Sequence, residues 1–280
     1  MIKAVAVSTG TLAAAISGLA TSLGALPFLF LRELPRRAYD GILGLGAGLM
    51  LAAATLGLLA EALHGLRGPE GLDVGQLLLV IAGFGAGVAI AAAMDRFIPH
   101  HHAGGHHQHL GHEPGHDVHD REVAHHETDA RASARRAYAV VGALSLHRIP
   151  EGLAIGAGFA VPGASRIGII LAIAVGVQNV CEGIVMAAPL RQGGIAPGRA
   201  VGIVALTGLT IPIAAVVGQA AAGAATVAMP FVLALAGGTL IYLTSNEIIP
   251  ESHSHGNEGT ASGGLVLGFL LTMILEALLH

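Results

Sequence analysis

LSLHRIPEGLAIGAG, residues 144–158, decides how this chain is read. Its flanks are Ala, Val, Leu and Gly, the composition of a segment that sits in lipid. Yet His147, Arg148 and Glu151 stand near its middle, with Pro150 among them. One ionisable side chain at the centre of a membrane helix costs roughly 2.5–3.5 kcal/mol on insertion scales. Three of them in one segment therefore need a function or a partner. The partner is written 31 positions further on. VQNVCEGIVMAA, from Val177, lays Gln178 over His147, Asn179 over Arg148, Cys181 over Pro150, Glu182 over Glu151 and Gly183 over Gly152.

The spacing has a geometric meaning. Residues i and i+4 share a helix face, so His147 points with Glu151 and Gln178 with Glu182. A short connection makes the two helices antiparallel neighbours. If the polar faces meet, one imidazole, two carboxylates and one amide converge near the bilayer midplane. Pro150 frees a backbone carbonyl one turn earlier and adds an oxygen donor. Two carboxylates in a low dielectric oppose each other's ionisation, and a divalent cation removes that conflict. The mixed nitrogen and oxygen set suits zinc, iron, manganese or cadmium better than calcium or magnesium. The competing structural reading is an ion-paired network in which Arg148 neutralises one Glu.

The rest of the chain fits a membrane setting. Of 280 residues, 53% are hydrophobic and 11% charged, where a soluble domain carries about a quarter. Mean hydropathy is +0.70. The apolar runs do not alternate with period two, which excludes a β-barrel in favour of helices. We expect an all-α membrane protein with eight transmembrane helices, at roughly 4–30, 38–63, 73–98, 137–160, 166–190, 199–223, 229–250 and 262–280. The last is expected to be short or frayed. The first is too long for a cleaved signal and reads as a span. Cys181 is the single cysteine, so intramolecular disulfides are excluded. The chain divides into spans 1–3 (1–98), a His-rich loop (99–136), spans 4–5 with the polar pair (137–190) and spans 6–8 (191–280).

Orientation follows from the basic residues. Arg32, Arg36, Arg37, Arg96, Arg121, Arg131, Arg135, Arg136, Arg191 and Arg199 share one side, against Lys3, Arg67 and Arg166 on the other. Basic loops stay in the cytoplasm, so both termini are expected outside the cell membrane. Gly44, Gly46 and Gly48, and Gly83, Gly85 and Gly87, are spaced for close helix contact, either as packing or as a sliding surface.

The third loop differs in kind. It holds eleven His: His100, His101, His102, His106, His107, His109, His112, His116, His119, His125 and His126, with Glu113, Asp117 and Asp120 among them. It lacks the apolar residues for a core and is expected to be disordered. Neutral imidazole binds transition metals, so the tract reads as an ion collector without a fixed geometry for choosing among ions. Two further features extend the pattern. Met50, in GLMLAAAT, could present a thioether or simply pack. YLTSNEIIPESHSHGNE, closing the seventh span, carries Glu247 and Glu251, then His253 and His255. That series is either a relay of weak ligands leading out of the membrane or a solvated helix end.

HRIPEG in the fourth span, QNVCEG in the fifth and NEIIPESH in the seventh resemble the ZIP (Zrt/Irt-like) family of divalent metal transporters. The resemblance covers the whole chain and is nearest to bacterial members. It implies inverted three-helix halves around the fourth and fifth helices, and ions moving toward the cytoplasm by an elevator-like displacement. It implies zinc or a similar divalent ion as substrate, no organic cofactor, and ligands at His147, Glu151, Gln178, Glu182 and Met50. The chain departs from the family at its second metal position. Arg148 stands where the family has Asn, Asn179 where it has Asp, and Ile211 where a Glu is expected. Those departures point to a mononuclear site, with the Arg148 guanidinium in place of the second ion. Cys181, in place of a family Pro, either adds a soft ligand or straightens the helix, and we favour the second.

Other classes are weaker. No His-Glu-x-x-His string lies in a span, no Gly-x-Ser-x-Gly nucleophile motif occurs, and no phosphate-binding loop is present; the chain is not read as an enzyme or an ATPase. A divalent ion moving inward at −100 mV gains about 4.6 kcal/mol, so uptake needs no other energy source. The alternative is a membrane metal sensor, or a metal-binding protein that does not transport. Partners are divalent ions and lipid, not nucleic acid. A homodimer is one option for assembly.

Overall fold

The computed structural model describes residues 2–64, 66–68, 71–97, 134, 137–138, 141–142, 145, 148–160, 165–224 and 229–279. The chain is built on long apolar helices. α1 spans Ile2–Ala25 and runs into a 3₁₀ turn at Leu26–Leu29, where Pro27 can sit because a first-turn N–H is not needed. Pro35 then sets an extended backbone just before α2, Arg36–Leu63. This helix is α-helical over Arg36–Ala52, widens into a π turn at Ala53–Leu59 and closes at Ala60–Leu63. A two-residue hairpin follows, β1 (Arg67–Gly68) against antiparallel β2 (Gly71–Leu72). The Asp73 carboxylate accepts from the backbone N–H of Gln76 at 3.0 Å and caps α3, Val74–Phe97.

Helix α4 runs over 148–160 and α5 over Ser165–Gln192. Gly194 turns the chain at a φ of 80°, and Pro197 opens α6, Pro197–Thr207. Gly208 and Leu209 interrupt the helix before α7, Thr210–Ala224. α8, Met229–Ser252, carries a second π turn at Thr244–Ile248. Gly256, at φ 79°, leads into α9, Glu258–Leu279.

Seven described helices are long and apolar enough to cross a bilayer, with α6 and α7 together making one of them. The protein is thus a helical, multi-pass membrane protein. The expected fourth span is described continuously only over its second half, 148–160. The sixth span is found at Pro197–Ala221, with a break at Gly208, where the backbone lies against Gly18 of α1 too closely for a side chain. One expectation needs correcting: the last span is not frayed, being helical from Glu258 to Leu279.

Without a hydrophobic drive between helices in lipid, small residues and close backbone contact decide what packs where. Gly44 and Gly48 of α2 abut the backbone of Ala261 and Leu265 in α9, and Gly264 and Gly268 return the contact. Gly83 and Gly87 of α3 meet Phe231 and Leu235 of α8. On the other side, Gly183 of α5 meets Thr21 of α1, and Gly156 of α4 meets Ala215 of α7. Two groups result: α2, α3, α8 and α9, and α1, α4, α5, α6 and α7. They touch where α2 runs along α5. There the contact is ordinary: a Cβ added at Gly46 would lie 3.7 Å from Cys181, and one at Gly57 3.5 Å from Leu171.

Candidate metal site

The polar residues of the two central helices are buried. Arg148, Glu151 and Asn179 have no exposed surface, Gln178 has 1% and Glu182 7%. The helices run antiparallel, because Gly158 abuts Gly168 while Arg148 reaches Glu182 and Met186. That arrangement brings the repeated Glu residues together. The Gln178 amide nitrogen donates to Glu151 Oε1 at 2.6 Å and to Glu182 Oε1 at 3.0 Å. Glu182 Oε2 accepts from an Arg148 guanidinium nitrogen at 3.1 Å. Glu151 Oε2 is buried and has no hydrogen bond among the described residues. A buried acceptor normally finds a donor, so this oxygen has the capacity to take a cation.

Arg148 does more than pair with Glu182. Its other terminal nitrogen donates to Thr21 Oγ1 of α1 at 2.9 Å and to Thr207 Oγ1 of α6 at 3.1 Å. Met186 Sδ lies 3.7 Å from the nitrogen that holds Glu182. A guanidinium presents several donors in a fixed fork, and here they tie four helices. Asn179, the repeat counterpart of Arg148, turns away: its amide donates to the Ser17 carbonyl of α1 at 2.9 Å. α5 continues as a helix through Cys181, which is buried.

His147 lies outside the described residues, as do the His-rich loop (His100, His101, His102, His106, His107, His109, His112, His116, His119, His125 and His126) and Leu146, the residue whose carbonyl Pro150 was expected to free. Among the described residues no group of three or more His, Cys, Asp or Glu side chains is arranged to hold a metal. Those that meet at the centre are Glu151, Gln178 and Glu182, with Arg148. Met50 is buried at 1% in an apolar cluster that includes Ala54, Ala172 and Val175.

The residues at the end of α8 divide. Glu247 lies within the π turn, so it and Glu251 are not at regular α-helical spacing. His253 uses both ring nitrogens locally: Nδ1 against the Ile249 carbonyl and Ser252 Oγ, each at 2.9 Å, and Nε2 against Ser262 Oγ at 3.0 Å. His255 Nδ1 pairs with Asp40 Oδ1 at 2.9 Å, and its Nε2 is 4.0 Å from Glu251. Asp40 has no exposed surface and also accepts from Asn257 Nδ2 at 2.9 Å. Sequence reasoning missed Asp40, Thr21, Thr207, Ser17 and Met186. Only Asp40 carried a signal, as a carboxylate inside the start of an apolar span.

A family profile described as ZIP Zinc transporter matches residues 8–276. Zinc transporter GufA of Myxococcus xanthus is 34% identical, over 95% of this chain and 97% of its own length. Zinc transporter ZIPB of Bordetella bronchiseptica is 36% identical, over 93% of this chain and 78% of its own. Zinc transporter ZIP11 of Homo sapiens is 28% identical over 92% and 93%.

Proposed function

Because this chain belongs to the ZIP zinc transporter family, we propose that it carries divalent transition-metal ions, zinc first among them, across the cell membrane toward the cytoplasm. Cadmium, iron and manganese are the other candidate cargoes. The ion is held near the bilayer midplane by His147, Glu151, Gln178 and Glu182, with Met50 offering a thioether. One observation carries this reading: two membrane helices bring Glu151, Gln178 and Glu182 together in a buried interior, and leave Glu151 Oε2 without a donor among the described residues.

The helix grouping supports an elevator-like cycle. α1, α4, α5, α6 and α7 carry the site, and α2, α3, α8 and α9 form the other body. Backbone-to-backbone glycine contacts join helices within each body, while at Gly46 and Gly57 the α2–α5 seam leaves ordinary van der Waals room. Such a seam can slide without first unlocking. Eight spans in inverted halves agree with the π turns of α2 and α8, which fall toward the C-terminal ends of both helices. The excess of Arg in alternate loops favours termini outside the cell membrane. Glu251 and His255 then stand on the cytoplasmic side as an exit relay, and the His-rich loop collects the ions released.

The test is metal uptake into proteoliposomes that hold a fluorescent chelator, with wild type beside Glu182→Ala and zinc, cadmium, manganese, iron and nickel offered in turn. Saturable zinc uptake that the substitution abolishes is the expected result. Uptake unchanged in Glu182→Ala removes the site from the reading. Binding without flux in the wild type favours the sensor alternative.

A further inference from the structure

We propose that Arg148 is the resident second cation of the metal site, so that the site takes one divalent ion at a time. This rests on reading Glu151, Gln178 and Glu182 as the transport site. The argument starts from the carboxylate oxygens. Glu182 Oε2 is held by Arg148 at 3.1 Å. Glu182 Oε1 and Glu151 Oε1 are held by the single amide nitrogen of Gln178, at 3.0 and 2.6 Å. Glu151 Oε2 is open. The Gln178 amino group thus sits between the carboxylates, where a cation would sit. Rotating the amide about its terminal bond replaces that donor with a carbonyl oxygen. Three carboxylate oxygens and one amide oxygen then face one ion.

The same rotation does not release Glu182 Oε2. Arg148 has no exposed surface, and its partners Thr21, Thr207 and Met186 come from α1, α6 and α5. It cannot swing aside without leaving donors unpaired in an apolar interior. Charge sets the same limit. Two carboxylates with one guanidinium carry a single negative charge. One divalent ion brings the cluster to a single positive charge, whereas a second would bring it to three positive charges in a buried, apolar setting. Unlike a bound metal, Arg148 is part of the chain and stays beside Glu182 when the site is empty.

The experiment is equilibrium dialysis of purified full-length protein against zinc, with bound metal counted by mass spectrometry. Wild type, Glu151→Ala, Arg148→Lys and Arg148→Asn are compared, and ions held by the His-rich loop cancel in the differences. Wild type is expected to hold one zinc more than Glu151→Ala. Arg148→Lys, which keeps the cation, should do the same. Arg148→Asn, which trades the cation for an oxygen donor, should gain a second zinc. A wild-type difference of zero or two overturns the inference. So does an Arg148→Asn variant that keeps a difference of one and transports like wild type. If Arg148→Asn does not fold, zinc-edge absorption on wild type decides. A metal–metal shell at about 3.5–4 Å that vanishes in Glu151→Ala overturns the inference, and its absence supports it. A wild type without flux sinks the transport reading instead, whatever the zinc count.

Discussion

The three glycines of GLGAG, residues 44–48, should respond in opposite directions to the same methyl group. A Cβ at Gly44 would meet the backbone of Ala261, and one at Gly48 the backbone of Leu265 and Phe269. At Gly46 the nearest atom would be the Cys181 Cβ, 3.7 Å away. Replacing Gly by Ala inside a helix is worth about 0.8–1 kcal/mol in propensity. Nothing opposes that gain at Gly46, so Gly46→Ala should be up to about 1 kcal/mol more stable. At Gly44 and Gly48 overpacking costs about 1–3 kcal/mol. The upper end applies, because the obstructing atoms are backbone and cannot rotate away. The net is a loss of about 2 kcal/mol, roughly a 30-fold change in the folding equilibrium. Unfolding by SDS in mixed micelles, followed by far-UV circular dichroism, resolves differences of that size. Equal losses in Gly44→Ala and Gly46→Ala would refute the packing. A larger side chain separates stability from motion: Gly46→Leu wedges the α2–α5 seam and should slow uptake more than it destabilises the fold. Uptake at the wild-type rate in a folded Gly46→Leu protein would argue against a seam that slides.

Cys181, the only thiol, faces that seam and is buried. Its labelling by a membrane-permeant maleimide should be slow and should change in rate when zinc is supplied; a rate blind to zinc would count against relative motion of α2 and α5. Thr207→Val removes an acceptor from buried Arg148 and should cost about 1–3 kcal/mol, read by the same SDS titration. Asp40→Ala takes the partner from His255 and Asn257 at once and should lower stability by a similar amount, with Asp40→Asn, which can still accept one bond, falling between. Deleting the His-rich loop should lower the zinc bound per chain while leaving uptake through the midplane site measurable.

The helical spans were legible because lipid imposes length and apolarity, and the central pair because it is a repeat written twice at one spacing. Glu151, Gln178 and Glu182 were read from that repeat and the i, i+4 spacing, and their side chains do meet. What stayed hidden depends on neighbours distant in sequence. Asp40 and His255 are 215 residues apart, and nothing local in either announces the other. Thr21 and Thr207 look like ordinary small residues of a membrane helix until a guanidinium is placed between them. The π turns at Ala53–Leu59 and Thr244–Ile248, and the break at Gly208, also have no reliable local signal. The first two need one extra residue accommodated by the partners, and the third needs α1 to approach. Gly44, Gly46 and Gly48 were read as one stripe, but α2 turns them to two different neighbours.

The Arg148–Glu182 pair also constrains how the chain is made. The two residues lie 34 positions apart, so at about 5–20 residues per second Arg148 leaves the ribosome roughly 2–7 s before its partner. Through that interval α4 holds an unpaired guanidinium that is costly to release into lipid. The translocon therefore has reason to retain α4 until α5 emerges, and to pass the two helices into the bilayer as a pair.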